Sequence, residues 1–400
     1  MHTYSSNKRG KWSDVLRAEF LIIGAGVMGL STAQALLQAG YRVTLLDCHT
    51  AGQESSWAGA GILSPLCPWD YSDEVTQLTT RGVALYSAWT QTLLAATGID
   101  PEYQESGMLI LPPFDRQLAQ RWCVAHEVVL HAVDGKSTAA SFPPRREFSL
   151  INTLDSRLRG NDEPRGEEAL LLPDVAQVRN PRLIQALRQH VEMLGGNIIE
   201  HCDVQKITVR HDCVQAITTA RGEFKADNFI VCAGAWSKQV LGQHALQLDI
   251  KPMRGQMLLY KFDSPPLRHI VLQDGMYLIP RRDGHVLIGS TLEDVGFDKS
   301  TTDAARDSLC QRAELLLPVL RDMPLIQHWS GLRPASPHNI PAIGRHPHVE
   351  NLYINSGHFR YGVTMAPASA EIILNEITGA PQKLDIAPYQ TGWGLQTILR

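Results

Sequence analysis

Residues 18–47 read AEFLIIGAGVMGLSTAQALLQAGYRVTLLD, and this stretch decides the fold. Residues 20–23 form a short apolar run that reads as a buried strand. Gly24, Gly26 and Gly29 follow at once, in the spacing G-x-G-x-x-G. Leu30, Ala33 and Leu37 then recur at helical spacing, and Gly40 is placed to end the helix. Residues 41–47 resume strand character and close on the carboxylate of Asp47. This is one complete βαβ unit. The first glycine permits the tight turn, the second lets a pyrophosphate approach the backbone, and the third lets helix and strand pack closely. The helix start offers unpaired N–H groups and a partial positive charge to phosphates. Asp47 can accept hydrogen bonds from an adenosine ribose and would repel the 2′-phosphate of NADP. The spacing alone leaves FAD and NAD both open.

Working outward, the chain before this unit, residues 1–17, is polar and basic and lacks the apolar segment of a secretion signal, so it reads as a loose extension. With 400 residues and 44% hydrophobic content, the chain has enough apolar surface for one large fold or two interlocked domains. Net charge is −4, from 37 basic and 41 acidic residues, so neither nucleic acid nor an anionic membrane is an expected partner. Seven cysteines without a C-x-x-C pair suggest reduced thiols in a cytoplasmic protein. No apolar run is long enough to span a bilayer.

After Asp47 comes GQESSWAGAGILSP, residues 52–65, read as a loop. Ser55 and Ser56 suit phosphate contact, and Gly59 and Gly61 permit close backbone approach to a flat ring. Helices are expected over residues 75–97, 114–129, 180–195, 304–317 and 364–377. Residues 107–111 read as a strand. Residues 145–168, RREFSLINTLDSRLRGNDEPRGEE, are charged and aperiodic and read as a surface insertion. Strands are expected over residues 197–200, 204–209 and 213–218. Residues 225–236, KADNFIVCAGAW, carry a buried strand into Gly234 and read as a return to the first sheet. Residues 250–260, 269–272, 276–280 and 285–289 are strand-rich and suggest an antiparallel sheet. Residues 352–355 are a late apolar strand. There is no second dinucleotide fingerprint.

Together GAGVMG with Asp47, SSWAGAGIL, CAGAWS, WSGLRPASPHNIPAIG (residues 329–344) and GHFRYGV (residues 357–363) resemble the D-amino-acid oxidase family of FAD-dependent oxidoreductases, most nearly its glycine oxidases of bacterial thiamine biosynthesis. The resemblance covers about residues 18–377 apart from the insertion. It implies an α/β fold of the glutathione-reductase-like kind, with an FAD-binding domain built from residues 18–98, 173–240 and 327–385. A substrate domain with a mainly antiparallel sheet would take residues 99–172 and 241–326. It implies non-covalent FAD rather than NAD. It also implies oxidation of glycine, with sarcosine and small D-amino acids as further candidates, giving an imine that hydrolyses to glyoxylate and ammonia while O2 becomes H2O2. A homotetramer and hand-off to thiazole-forming machinery follow from the same resemblance.

Site residues transfer position by position. Arg333 of GLRP would hold the substrate carboxylate, Arg360 of GHFR would line the same site, and Tyr277 of MYLIPR would hydrogen-bond the carboxylate. Cofactor positions are Gly24, Gly26, Val27, Met28 and Gly29 in the first turn, and Asp47 and Cys48 at the ribose. Ser55, Ser56, Ala60, Gly61 and Ile62 match the phosphate and flavin segment. Val204 would lie near the adenine, Gly234 at the returning strand, and His358, Phe359, Arg360, Tyr361, Gly362, Val363 and Thr364 along the flavin ring. Trp57, Leu292 and the insertion depart from the family pattern, and Leu292 leaves glycine unsecured as the only substrate. Arginine suits the carboxylate because its planar fork donates two parallel hydrogen bonds. No side-chain base is required, because a neutral amine's lone pair can drive hydride loss from Cα. The N–H groups opening the last helix are expected to stabilise charge on reduced flavin. His338, His346, His348 and His358 lack a ligand spacing, so no metal is expected. Two rivals stay open on the residues: a quinone-linked D-amino-acid dehydrogenase, and a non-catalytic FAD-binding subunit.

Overall fold

The computed structural model describes residues 18–133 and 169–390. The expected N-terminal extension and the expected insertion over residues 145–168 lie outside them. Six strands form the first sheet, in the order Ala342–Arg345, Leu352–Ser356, Ala226–Val231, Ala18–Ile23, Val43–Leu46, Asn197–Ile199. All pairings are parallel except that of Ala342–Arg345 with Leu352–Ser356. The central strand, Ala18–Ile23, is buried on both faces, which is why it reads as a continuous apolar run.

Its side chains alternate between two cores. Phe20 and Ile22 face the helices Val27–Gln38, Asp73–Thr97, Asn180–Met193 and Gly362–Thr378. Leu21 and Ile23 face the other way, where Ile207, Val214 and Ile217 of a three-stranded sheet cover them. Each such side chain contributes about 1.5–3 kcal/mol relative to exposure. Helix ends follow local chemistry. Gly40 leaves the first helix at φ 92°, Pro181 sits in the first turn of Asn180–Met193, and Gly98 and Gly379 close Asp73–Thr97 and Gly362–Thr378 at φ 72° and 71°. Gly82 lets the long helix touch the closing one: a Cβ there would lie 2.1 Å from Thr364 O.

The second sheet has eight strands, in the order Gln327–Ala335, Lys251–Lys261, His285–Gly289, Met276–Pro280, Ile270–Gln273, Met108–Leu111, Ala169–Leu172, His131–Val133. It is antiparallel throughout except where Met108–Leu111 runs parallel to Ile270–Gln273. Two expected elements differ. The helix read over residues 114–129 is Arg116–Ala125, because Asp115 Oδ1 caps it by accepting from Leu118 N at 2.9 Å. Residues 52–65 are not all loop: Ser55–Ala58 make one helical turn, held by Asn180 Nδ2 donating to Ser56 O at 2.9 Å. The two sheets are joined through loops: Ala335 of the second bridges His358, just past the strand Leu352–Ser356 of the first, and Trp329 Nε1 donates to Ala58 O at 3.2 Å, while Ile62 bridges Gln177 of a short two-stranded sheet, Gln104–Glu105 with Ala176–Gln177.

Candidate active site

Four parallel strands end at one place. Gly24 follows Ile23, Asp47 follows Leu46, Cys232 follows Val231, and Gly357 follows Ser356. This is the carboxyl edge of the sheet, where open α/β folds bind ligands. A cavity of about 400 Å³ runs from this edge to the face of the eight-stranded sheet. Of the cofactor and substrate positions taken from the sequence, all border it except Gly29 and Thr364. Gly29 lies behind the first turn, where a Cβ would sit 1.9 Å from Gly24 O. Thr364 Oγ1 donates to Ile62 O at 3.1 Å, tying the closing helix to the residue 60–62 turn.

At the sheet edge, the glycine turn packs closely against the returning strand. Gly24 has φ 101°, and a Cβ would meet Cys232 O at 2.4 Å. Helix Val27–Gln38 starts on Gly26 with no side-chain cap. Ala25 N donates to Asp47 Oδ2 at 2.7 Å and Val27 N to Ser56 Oγ at 2.9 Å. Asp47 Oδ1 accepts from His49 N at 2.9 Å. Burial raises the Asp47 carboxyl, and the His49 and Ala25 N–H groups pull it back. A carboxylate has four acceptor sites, so two bonds leave room for a ribose. Burial and the neighbouring Asp47 push the Cys48 thiol up to about 11, so it stays protonated at neutral pH.

At the opposite end stands Arg333, half-buried on Gln327–Ala335. Its Nη2 donates to Ser290 Oγ at 2.6 Å and its Nη1 to Thr291 O at 3.2 Å. Among the described residues no carboxylate pairs with it. Burial lowers its pKa, while the Tyr277 hydroxyl beside it supports the charge and Arg360 opposes it. The guanidinium lies directly over the neighbouring strand: a Cβ on Gly255 would be 2.0 Å from Nη1. Gly255 is paired in register with Gly331. Tyr277 is 6% exposed, and its hydroxyl reaches Met257 Sδ at 3.4 Å. Arg360 Cζ stacks 5.3 Å from the Phe359 ring centre. Two cations therefore share one end of the cavity, and among the described residues no carboxylate is ion-paired with either.

Other positions do structural work. His358 is buried with Nε2 2.9 Å from Ser369 Oγ, and burial drops its pKa to about 3, so it is neutral. His346 Nε2 contacts His244 O at 3.0 Å.

Sequence reasoning passed over Gly255, Ser290, Asn180 and Asn355. The residues Asn180 and Asn355 border the cavity, and their Oδ1 atoms are buried with no partner among the described residues. Two idle acceptors suit the O–H and N–H groups of a flavin and its ribityl chain, and the glycine turn suits a pyrophosphate, so FAD fits this donor set. Adjacent Asn-Pro at residues 180–181 was the one available signal for Asn180.

The family profile described as FAD dependent oxidoreductase (DAO) matches residues 19–375. The glycine oxidase of Pseudomonas aeruginosa is 41% identical over 370 residues, covering 92% of this chain and 97% of that protein. The bifunctional protein ThiO/ThiG of Trichormus variabilis is 31% identical over 363 residues, covering 90% of this chain and 52% of that longer protein. The crystal structure of glycine oxidase from Geobacillus kaustophilus superposes with a TM-score of 0.83 at 24% identity, covering 93% of this chain and 98% of that one. Among the described residues, no helix is long and apolar enough to cross a membrane.

Proposed function

The chain belongs to the DAO family of FAD-dependent oxidoreductases, and from that premise we propose that it oxidises glycine, with the residue 333 guanidinium as its carboxylate clamp. The observation that carries this reading is a guanidinium held by neutral partners, with a tyrosine beside it, at one end of a cavity whose other end is built for a dinucleotide. FAD, when bound, supplies the two-electron acceptor for the Cα hydride.

The protein's own groups do the rest. Arg333 binds the carboxylate through two N–H groups, and Tyr277 adds a third donor, which fixes Cα relative to the cavity wall. Ser290 and Thr291 orient the arginine from behind. Tyr361, 3% exposed, packs edge-on to Tyr71 at 5.0 Å and shields this end from water. Among the described residues no carboxylate is ion-paired with Arg333, and no side-chain base is assigned, so the amine arrives neutral or loses its proton to solvent. Glycine, O2 and water then give glyoxylate, ammonia and H2O2, unless the imine is used before it hydrolyses.

We propose that the residue 18–98, 173–240 and 327–385 segments surround the cofactor, except that the strand Gln327–Ala335, which carries Arg333 in the second sheet, stands with the remaining described chain on the substrate side. Fusion of a similar chain in the ThiO/ThiG protein supports delivery of the glycine imine to a thiazole-forming partner. The seven cysteines, none of them in a disulfide, fit a reducing cytoplasm. A homotetramer is the assembly proposed, and sedimentation measures it. The function itself is tested by anaerobic titration of the yellow protein with glycine, sarcosine and D-alanine, followed by peroxide measurement in air. Bleaching by glycine and stoichiometric peroxide support the reading; an unbleached flavin ends it.

A further inference from the structure

Arg281 follows the strand Met276–Pro280 and is only 4% exposed. Its Nη1 donates to Gln177 Oε1 at 2.7 Å and to Val178 O at 2.8 Å, and its Nη2 donates to Ala60 O at 2.6 Å. Its Nε is buried with no partner among the described residues. No carboxylate there lies within ion-pair distance. Glu102 and Asp283, the acids that feel its charge, are both engaged by Arg179. Burial, and after it the Arg179 charge, pull the guanidinium down to about 10, so it remains charged at neutral pH.

A buried cation satisfied only by neutral acceptors is costly. Its position suggests what that cost supports. Its acceptors belong to the two segments that bridge at Ile62 and Gln177, where Val178 N also donates to Gly61 O at 2.9 Å. Ala60 and Gly61 border the cavity. Arg281 therefore grips the back of a turn whose front faces the ligand. In a medium of low dielectric, a fixed charge one residue behind that wall acts on whatever charge the ligand gains.

We propose that Arg281 is a positioning residue for the cofactor: it pins the residue 60–62 turn from behind, and its uncompensated charge favours the reduced, more negatively charged state of bound FAD. The inference rests on FAD as the cofactor and not on glycine as the substrate, so it is tested without substrate.

The experiment is chemical reduction of the holoenzyme against reference dyes, comparing wild type with Arg281→Met and Arg281→Lys. Arg281→Met should favour oxidised flavin at least tenfold more than wild type, a drop of about 30 mV in the two-electron potential. A buried lysine loses its proton more readily than arginine. Arg281→Lys should therefore match wild type within about twofold at pH 6 and move toward the methionine value at pH 9.5. If Arg281→Met fails to bind FAD, the lysine pH profile decides alone. An Arg281→Met holoenzyme with the wild-type potential overturns the inference. So does an Arg281→Lys potential that tracks wild type at every pH, or one that is equally depressed at every pH, since geometry alone would then explain the residue.

Discussion

Replacing Gly255 with alanine should disable the proposed substrate clamp without replacing any charged residue. A Cβ at this position would lie 2.0 Å from Arg333 Nη1, 2.3 Å from Nη2 and 2.4 Å from Cζ. The backbone of residue 255 is ordinary strand within Lys251–Lys261, so alanine strains nothing locally. The conflict falls on the far end of a flexible side chain, and the guanidinium must swing away. Its bonds to Ser290 Oγ and Thr291 O would be displaced with it. Loss of one charge-assisted bond to the substrate carboxylate costs about 1.5–3 kcal/mol. At about 1.4 kcal/mol per decade, kcat/KM for glycine should fall roughly 10- to 150-fold. Most of the fall should appear in KM, because the clamp holds ground state and transition state alike. Steady-state peroxide assays and anaerobic glycine titration measure both terms, with flavin content and melting temperature as controls. A Gly255→Ala enzyme with normal flavin content and a KM within twofold of wild type would refute the placement of the clamp.

Other changes separate the cofactor end from the substrate end. Gly61→Ala, at φ 76° with its Cβ 2.1 Å from Val178 O, should cost about 1–2 kcal/mol from the left-handed backbone alone and release flavin; thermal melts and bound-flavin absorbance would show it. Arg333→Lys keeps a charge but loses the fork, so kcat/KM should drop about tenfold or more while the protein stays yellow. Colourless protein would instead mean that Arg333 supports the fold. His358 gives a pH signature. Its folded pKa, about 3, lies below the ordinary 6.5, so the unfolded chain binds the extra proton between these values. The stability due to neutral His358 is present above pH 6.5 and is lost as pH falls toward 3, by about 1.4 kcal/mol per unit. Urea melts of His358→Gln from pH 7 to pH 4 should show a flatter decline than wild type, and an unchanged slope would count against the buried neutral ring.

What was legible in the sequence was what neighbours in sequence decide. The glycine turn, its helix and Asp47 lie within 30 consecutive residues, and their spacing alone placed a dinucleotide end at the sheet edge. Arg333 and Tyr277 were singled out through motifs, and both border the cavity. The partners that aim Arg333 were not singled out. Gly255 lies in one strand and Ser290 just past another, brought together only in three dimensions, and a glycine in a strand carries no mark of the side chain lying over it. The helical turn Ser55–Ala58 was read as loop because Asn180, more than a hundred residues away, supplies one of its bonds. The parallel pairing of Met108–Leu111 with Ile270–Gln273 leaves no local pattern either.

The interleaving of the first sheet has a consequence for synthesis on the ribosome. The glycine turn emerges early, yet Ala226–Val231, which pairs with its first strand, emerges only midway, and Leu352–Ser356 and the helix Gly362–Thr378, which packs in the same core, emerge last. Until they do, the first βαβ unit exposes an unpaired strand edge and an uncovered apolar face. Capture of the nucleotide therefore belongs to the end of translation, and nascent chains stalled before residue 352 should need chaperone cover rather than FAD to remain soluble.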